Sequence, residues 1–298
     1  MNCYNSERFL EDAIQSIYAQ RYQSWEIIFW DNRSTDRSAD IARGFDSRLR
    51  YFLAEEQTPL GAARQLAVQQ ARGDFIAFLD TDDLYLPEAL ATLVDAIGDE
   101  YALCYAGIVQ IDEEGRETGR RVPPGRAGDL LDPLLRQFDI YLQATLLRRS
   151  ALERTGLSFD PRITASEEYC LFMQIAAQCP FRSLSQALAK YRVHDDALTN
   201  KAIDKWADER EYTLDRIVGA HPGIARRYPG GFKEAYARAR YYRARWHLQQ
   251  GRKLEAVREL AKTVFVSLRY AGLFVLSLLP TKVWNEVHYV RTHRSRFG

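Results

Sequence analysis

The sequence predicts an α/β fold: a mainly parallel sheet flanked by helices, followed by a helical C-terminal region. Two observations carry the prediction. Between residues 7 and 111, short apolar runs alternate with stretches of helical periodicity, joined by short polar loops. Beyond residue 200 the strand signals stop, and Tyr, Arg and Ala dominate residues 225–250.

Phe9, Leu10, Ala13, Ile14 and Ile17 fall at helical spacing after the turn at Tyr4-Asn5, which predicts a helix over residues 7–19. Trp25–Trp30 is a compact apolar run ending in Asp31-Asn32-Arg33-Ser34-Thr35-Asp36. It reads as a strand entering a polar turn, where Ser34 or Thr35 can cap the next helix. Arg50–Leu53 reads as a short strand, and Gly61–Ala71, rich in Ala and Gln, as a helix. Phe75–Leu79 is fully apolar, the mark of a strand buried on both faces, and runs directly into Asp80-Thr81-Asp82-Asp83. Pro87 opens a helix through Ile97, and Tyr101–Ile111 returns as a strand. Ligands of open α/β sheets bind beyond the carboxyl ends of the strands, so the Asp31 and Asp80 loops are expected on one rim.

With 298 residues, 46% hydrophobic and 27% charged, the chain has a globular composition and room for one large domain and an appendage. A formal charge of +1 hides an asymmetry. Residues 1–200 carry 21 Lys/Arg against 31 Asp/Glu, and residues 201–298 carry 20 against 9. The expected division is therefore an α/β domain at 1–200 and a helical region at 201–298. Cys3, Cys104, Cys170 and Cys179 form no Cys-x-x-Cys pair, which argues against a zinc site and for a reducing compartment. The first residues have no apolar core, and the longest strongly apolar run, Ala271–Leu279, is about half a membrane span. A cytoplasmic location is expected.

Three carboxylates within four residues at Asp80-Thr81-Asp82-Asp83 repel one another. Hard cations such as Mg²⁺ or Mn²⁺ take such oxygens together with substrate phosphates. Helix capping by Asp82 or Asp83 would account for one Asp and leave two. Asp31 fits a hydrogen bond to a base ring N–H and an Asx turn equally. Glu167-Glu168 follows Thr164-Ala165-Ser166 and opens an apolar helix. It fits a helix start capped by Ser166 as well as a general base aimed at a hydroxyl. His194, one of five histidines, gains a role only if its loop returns to the acidic rim.

Seven segments occur in register: Tyr4-Asn5-Ser6-Glu7, Gln20–Glu26, Trp30–Asp36, Gly61–Gln65, Ala71–Asp83, Ser166–Tyr169 and Tyr191–His194. Together they resemble the pattern of glycosyltransferase family 2, which has the GT-A fold, over about residues 1–200. The resemblance implies a metal-dependent transferase of hexosyltransferase type, taking a sugar from a UDP or GDP type nucleotide-sugar and inverting the anomeric carbon. It implies that Tyr4, Asn5, Glu7 and Ser34 line the nucleotide pocket, that Asp31 contacts the base and that Arg64 lies near the base or diphosphate. Asp80 would face the ribose, Asp82 and Asp83 the divalent metal (Mn²⁺ or Mg²⁺), and His194 the metal or diphosphate. Glu168 matches the position of the family's base, with Glu167 as its rival. The implied acceptor is a carbohydrate or a lipid-linked sugar in polysaccharide or glycolipid synthesis; no nucleic acid is implied.

The chain departs from that pattern at three places. The apolar strand that precedes the Tyr-Asn turn in the family is absent before Tyr4, so either the true start lies upstream or the first central strand is expected to be missing, a loss that exposes a sheet edge and opens the floor of the nucleotide pocket. Glu168 stands where Asp is usual, and Gln65 where Asn is common.

In the tail, Tyr242–Leu260 reads as a helix–turn–helix of tetratricopeptide kind, a single copy that cannot bury its own face. Residues 264–298 end in Arg291, His293, Arg294 and Arg296. They fit peripheral contact with a membrane's inner face and packing against the front domain equally. Rival functions are transfer to a polyprenyl phosphate, where a base is dispensable, and a non-catalytic scaffold whose tail binds a partner. A metal-dependent nucleotidyltransferase lacks support from any Gly-rich phosphate loop.

Overall fold

The computed structural model describes residues 1–194 and 203–294, with side chains to residue 287. The boundary expected between residues 200 and 201 lies outside the described residues, as does Arg296, and of Arg291, His293 and Arg294 only the helical backbone is described. The front of the chain runs β1 (Asn2–Cys3), α1 (Leu10–Tyr18), β2 (Ile27–Asp31), α2 (Ser38–Arg43), β3 (Leu49–Leu53), α3 (Leu60–Gln70), β4 (Phe75–Ala77), β5 (Leu84–Tyr85), α4 (Ala89–Ile97), β6 (Leu103–Ile111), β7 (Glu117–Arg121) and β8 (Ala127–Gly128). It continues with α5 (Leu131–Arg136), β9 (Thr145–Arg148), α6 (Arg149–Thr155), α7 (Glu167–Ala176) and β10 (Phe181–Arg192). The rest is helical: α8 (Ile203–Ala220), α9 (Ile224–Arg227), α10 (Pro229–Gln249), α11 (Lys253–Ala261), α12 (Leu268–Leu278) and α13 (Thr281–Arg294). The elements expected up to Ile111 are all present, with bounds shifted by a few residues.

Two sheets form. β1, β2 and β3 are parallel, as expected of strands separated by helices. The second sheet has the order β4-β9-β6-β10-β5, with β7 on β6 and β8 on β10. In it β6 and β10 are parallel and the remaining pairs antiparallel. The antiparallel pairing of β6 with β7 follows from the short turn between them, in which Gly115 takes φ +83°.

The first strand, expected to be missing, is present as two residues. Asn2 and Cys3 pair with Trp30 and Asp31, and the Met1 amine donates to the Ile28 carbonyl at 2.9 Å. A cavity of about 700 Å³ is lined by Met1 and Asn2 and walled by Ile28, Ala67, Ile76, Phe78 and Leu90.

The helices after residue 203 do not stand apart from the front. Leu214 and Ile217 of α8 and Phe232 and Ala235 of α10 enter one core with Leu131, Leu134, Phe172 and Phe181. Farther on, α10 turns at Gly251 (φ +71°) into α11, the helix–turn–helix expected there. Its open face is covered by Tyr270 and Leu273 of α12 and Trp284 of α13. Among the described residues no helix is long and apolar enough to cross a membrane. All four cysteines are free and buried.

Two glycines give opposite expectations. A Cβ on Gly107 of β6 would sit 2.3 Å from the Arg121 carbonyl oxygen and 2.7 Å from Val122 Cα, so β7 could no longer cross at that distance. Gly107→Ala should destabilise the protein by about 1–3 kcal/mol. Gly272 meets nothing within 4 Å and lies inside α12, so Gly272→Ala should stabilise it by roughly 0.5–1 kcal/mol. Urea denaturation of both variants checks the pair of signs.

Candidate active site

The turn after β2 is built on itself. Asp31, 1% exposed, accepts the Ser34 N–H at 2.7 Å and the Tyr51 hydroxyl at 2.5 Å. The closing of the turn by Asp31 is therefore realised. Asn5, with φ +51°, receives the Thr35 N–H on its side-chain oxygen at 2.8 Å, and its own N–H donates to the Ser34 hydroxyl at 3.1 Å. Glu7 accepts the Arg37 N–H at 3.0 Å, and Tyr4 is half exposed. Tyr4, Asn5, Glu7, Asp31 and Ser34 thus meet where the ends of β1 and β2 lie side by side. Capping of α2 by Ser34 or Thr35 does not occur; instead Asp36 accepts the N–H groups of Ser38 and Glu7, both at 3.0 Å.

Arg64 of α3 joins the second loop to the start of α7. Its guanidinium is 4% exposed, donating to Glu167 Oε1 at 2.6 Å and to Asp80 Oδ1 at 2.8 Å. Burial alone would lower its pKa; Asp80, Glu167 and Glu168 reverse that and hold the charge firmly in place. The close approach depends on Gly61, where a Cβ would come within 3.3 Å of Glu167 Cβ.

The three aspartates of the loop part company. Asp82 Oδ2 lies 2.9 Å from His194 Nε2, so the loop carrying His194 does return to the acidic rim. Burial, then Asp80, pushes the Asp82 carboxyl above its ordinary range, against the pull of His194. Asp83, expected on the metal, is not brought to that place. It is 2% exposed and accepts the Arg192 N–H at 2.8 Å, while the tight turn over residues 80–83, closed by the Asp83 N–H on the Asp80 carbonyl at 3.3 Å, turns Asp82 the other way, to His194. Burial, then Asp82 and Asp80, holds its carboxyl well above the usual range. Among the described residues no three His, Cys, Asp or Glu side chains gather as a metal cage. The donor set present, one carboxylate and one imidazole beside Asp80, suits Mn²⁺ or Mg²⁺ only where phosphate oxygens complete the shell.

Glu167 and Glu168 have separate environments. Glu167 is committed to Arg64. No side chain among the described residues hydrogen-bonds the Glu168 carboxyl, and burial, then Glu167, pushes its pKa to about 7, with Arg64 and Arg210 pulling the other way. Ser166 occupies the cap position of α7 without capping it. Its hydroxyl donates to Glu209 of α8 at 2.8 Å, and Glu209 also accepts the N–H groups of Thr164 at 2.7 Å and Ala165 at 3.1 Å.

Sequence reasoning assigned no role to Glu209 or Arg192. Arg192, 4% exposed, donates through Nε to the Asp82 carbonyl at 3.0 Å and through Nη1 to the Glu113 carbonyl at 2.9 Å. Its place inside Tyr191–His194 was the available signal. For Glu209 there was none, since it sits in the mixed-charge run Asp208-Glu209-Arg210-Glu211.

Removing the guanidinium leaves two acids unpaired, one of them buried. Arg64→Met should destabilise the protein by about 3–5 kcal/mol. Adding Glu167→Gln should recover part of that loss. Denaturation midpoints for the two single variants and the double variant, combined as a cycle, measure the coupling.

The comparisons with known proteins agree with this geometry. Similar sequences include EpsE of Bacillus subtilis, named as a glycosyltransferase, 28% identical over 73% of this chain and 78% of that protein. TuaG of the same organism, named for teichuronic acid biosynthesis, is 24% identical over 68% of this chain and 80% of its own length. The chain spans 65% of a Rickettsia typhi relative and 30% of one from Rickettsia bellii. Among solved structures, S. aureus TarS in complex with UDP-GlcNAc superposes with a TM-score of 0.68 at 17% identity, covering 98% of this chain and 86% of that one. The mannosyltransferase PcManGT of Pyrobaculum calidifontis, in complex with GDP-Man and Mn²⁺, gives 0.61 at 17% identity, covering 99% and 84%. These likenesses give the fold, the GT-A type. The sequence model described as Glycosyl transferase family 2 matches residues 1–156, more than half of the chain, and the protein belongs to that family.

Proposed function

We propose that this glycosyltransferase moves a sugar from a nucleoside-diphosphate sugar to an acceptor hydroxyl with inversion, and that Glu168 is the general base. The observation that carries this reading is the contrast between two adjacent acids. Glu167 is spent on Arg64, while Glu168 carries a carboxyl without a side-chain partner among the described residues and a pKa near 7. An acid–base group works best when its pKa lies near the operating pH.

The step balances simply. The acceptor oxygen attacks the anomeric carbon from the face opposite the diphosphate, and its proton passes to a Glu168 oxygen. The bond from the anomeric carbon to the diphosphate oxygen breaks, and its electron pair leaves with the diphosphate. Asp82 and His194 would hold a divalent cation, which when bound supplies Lewis-acid stabilisation to the departing diphosphate. Tyr4, Asn5, Glu7, Asp31 and Ser34 would frame the nucleoside, and Arg64 would keep Asp80 turned to it. The UDP-GlcNAc in TarS and the GDP-Man and Mn²⁺ in PcManGT support a donor and metal of this class. The teichuronic acid biosynthesis named for TuaG supports an acceptor in polysaccharide synthesis, a carbohydrate or a lipid-linked one, and the reaction would then run on the cytoplasmic side of a membrane.

Glu168→Gln should lower kcat about 10²–10⁴-fold and leave nucleotide affinity unchanged. In the unaltered protein kcat should rise with pH through about 7 as the base loses its proton, and that limb should vanish in the variant. Full activity of Glu168→Gln would reject the base and favour an acceptor already ionised, such as a polyprenyl phosphate. Calorimetric titration with UDP and with GDP should show Mn²⁺-dependent binding to one of them that Asp82→Ala abolishes. Binding indifferent to Mn²⁺ and to Asp82 would remove the metal from the scheme.

A further inference from the structure

We propose that α12 and the turn before it form a docking surface for an anionic lipid bilayer. One side of α12 is spent on the tail's own core, where Tyr270 and Leu273 are buried against Ala256 and Leu260 of α11. The opposite side is apolar and uncovered. Leu268 is 92% exposed, Val275 58% and Leu279 44%, and with the exposed Gly272 they recur at offsets of four, three and four residues, one stripe along the helix. Leu278 broadens the stripe, and Phe265, 91% exposed, stands in the turn that leads into it. An uncovered aromatic and an uncovered leucine three residues apart at the tip of a helical hairpin are unfavourable in water and suited to the acyl boundary of a bilayer.

The charges around the stripe select the occupant. Between residues 260 and 285 there is no Asp or Glu, and Arg269 and Lys282 are exposed; Lys262, also exposed, pairs with Glu259 at 2.7 Å on the side away from residues 264–285 in sequence. Lys253 donates to the Leu278 and Leu279 carbonyls at 2.9 and 2.8 Å, adding a cation at the helix's far end. A cationic rim around an apolar face complements anionic headgroups over acyl chains. It disfavours a second copy of this chain, because a two-fold pairing would gather the Arg269 and Lys282 cations of both copies around one interface. With 11 residues α12 is too short to span the bilayer, so the helix lies in the interface.

Sedimentation of the purified protein with vesicles tests this. The protein should pellet with phosphatidylcholine vesicles containing phosphatidylserine, stay in solution with phosphatidylcholine alone, and be released by salt. Phe265→Ser with Leu268→Ser, and separately Lys262→Glu with Arg269→Glu, should each weaken binding at least about tenfold. All four positions are exposed, and circular dichroism of each variant verifies that the fold is retained. Failure to pellet with the anionic vesicles, or unchanged binding by the Phe265/Leu268 variant, would overturn the proposal. A dimer in light scattering that the same variant converts to monomer, without vesicle binding, would give the surface to a second copy instead. None of these readouts requires sugar transfer, so the outcome is independent of the proposed reaction.

Discussion

One buried guanidinium holds the centre of the molecule. Arg64 belongs to α3, yet its two ion pairs are with Asp80 after β4 and Glu167 at the start of α7. A charge at 4% exposure is tolerable only when paired, and the planar fork of arginine serves two carboxylates at once where an ammonium would be a single point. Such a cluster adds little net stability over an apolar one. What it supplies is position: three segments distant in sequence must arrive together, or a charge is left uncompensated. Gly61 is the steric counterpart, since any side chain there would push α7 away from the guanidinium.

The same constraint distributes the roles of the acids. Five carboxylates, Asp80, Asp82, Asp83, Glu167 and Glu168, crowd a region whose buried cations are Arg64 and Arg192. Glu167 and Asp80 share Arg64, Asp83 takes the Arg192 N–H, and Asp82 takes His194. Glu168 is left without a side-chain partner among the described residues, and burial, then the neighbouring Glu167, raises its pKa. Glu209 works on that residue indirectly. By accepting donors from Thr164, Ala165 and Ser166 it fixes the turn from which Glu167 and Glu168 emerge, so a helix of the C-terminal region shapes the site in the front region.

The periodic part of this structure was legible in the sequence because apolar spacing reports directly on strand and helix. Phe75–Leu79, Tyr101–Ile111 and the helix after Tyr4 announced themselves that way. The turn at Asp31 and the cluster at Asp80 were legible as composition. What composition could not decide was direction. Asp82 and Asp83 are chemically identical neighbours, and only the pairing of β10 sends one to His194 and the other to Arg192. Ser166 looked like a cap because local rules reward it; a carboxylate 43 residues away won the hydroxyl instead. The second sheet's antiparallel pairs were also hidden, since β5 and β8 have two residues each and carry no period.

Register explains how His194 comes to lie 112 residues from its partner in sequence and 2.9 Å from it in space. β5 pairs antiparallel with β10, Leu84 opposite Lys190 and Tyr85 opposite Ala189. Followed outward, this pairing sets Asp83 and Asp82 beside Tyr191 and Arg192, so the acidic loop and the end of β10 must run alongside each other. Arg192 then locks the arrangement from both sides, through its N–H to Asp83 and its guanidinium to the Asp82 and Glu113 carbonyls. Two paired residues are a weak specification of register by themselves, and a slip of one would carry the Arg192 N–H away from Asp83. The buried Arg192 removes that ambiguity. In a slipped register its guanidinium and the Asp83 carboxylate would both be buried without partners, a cost far above what two strand residues could recover. The acidic loop therefore has one seat, set by an arginine outside the loop, and the pairing of Asp82 with His194 follows from it.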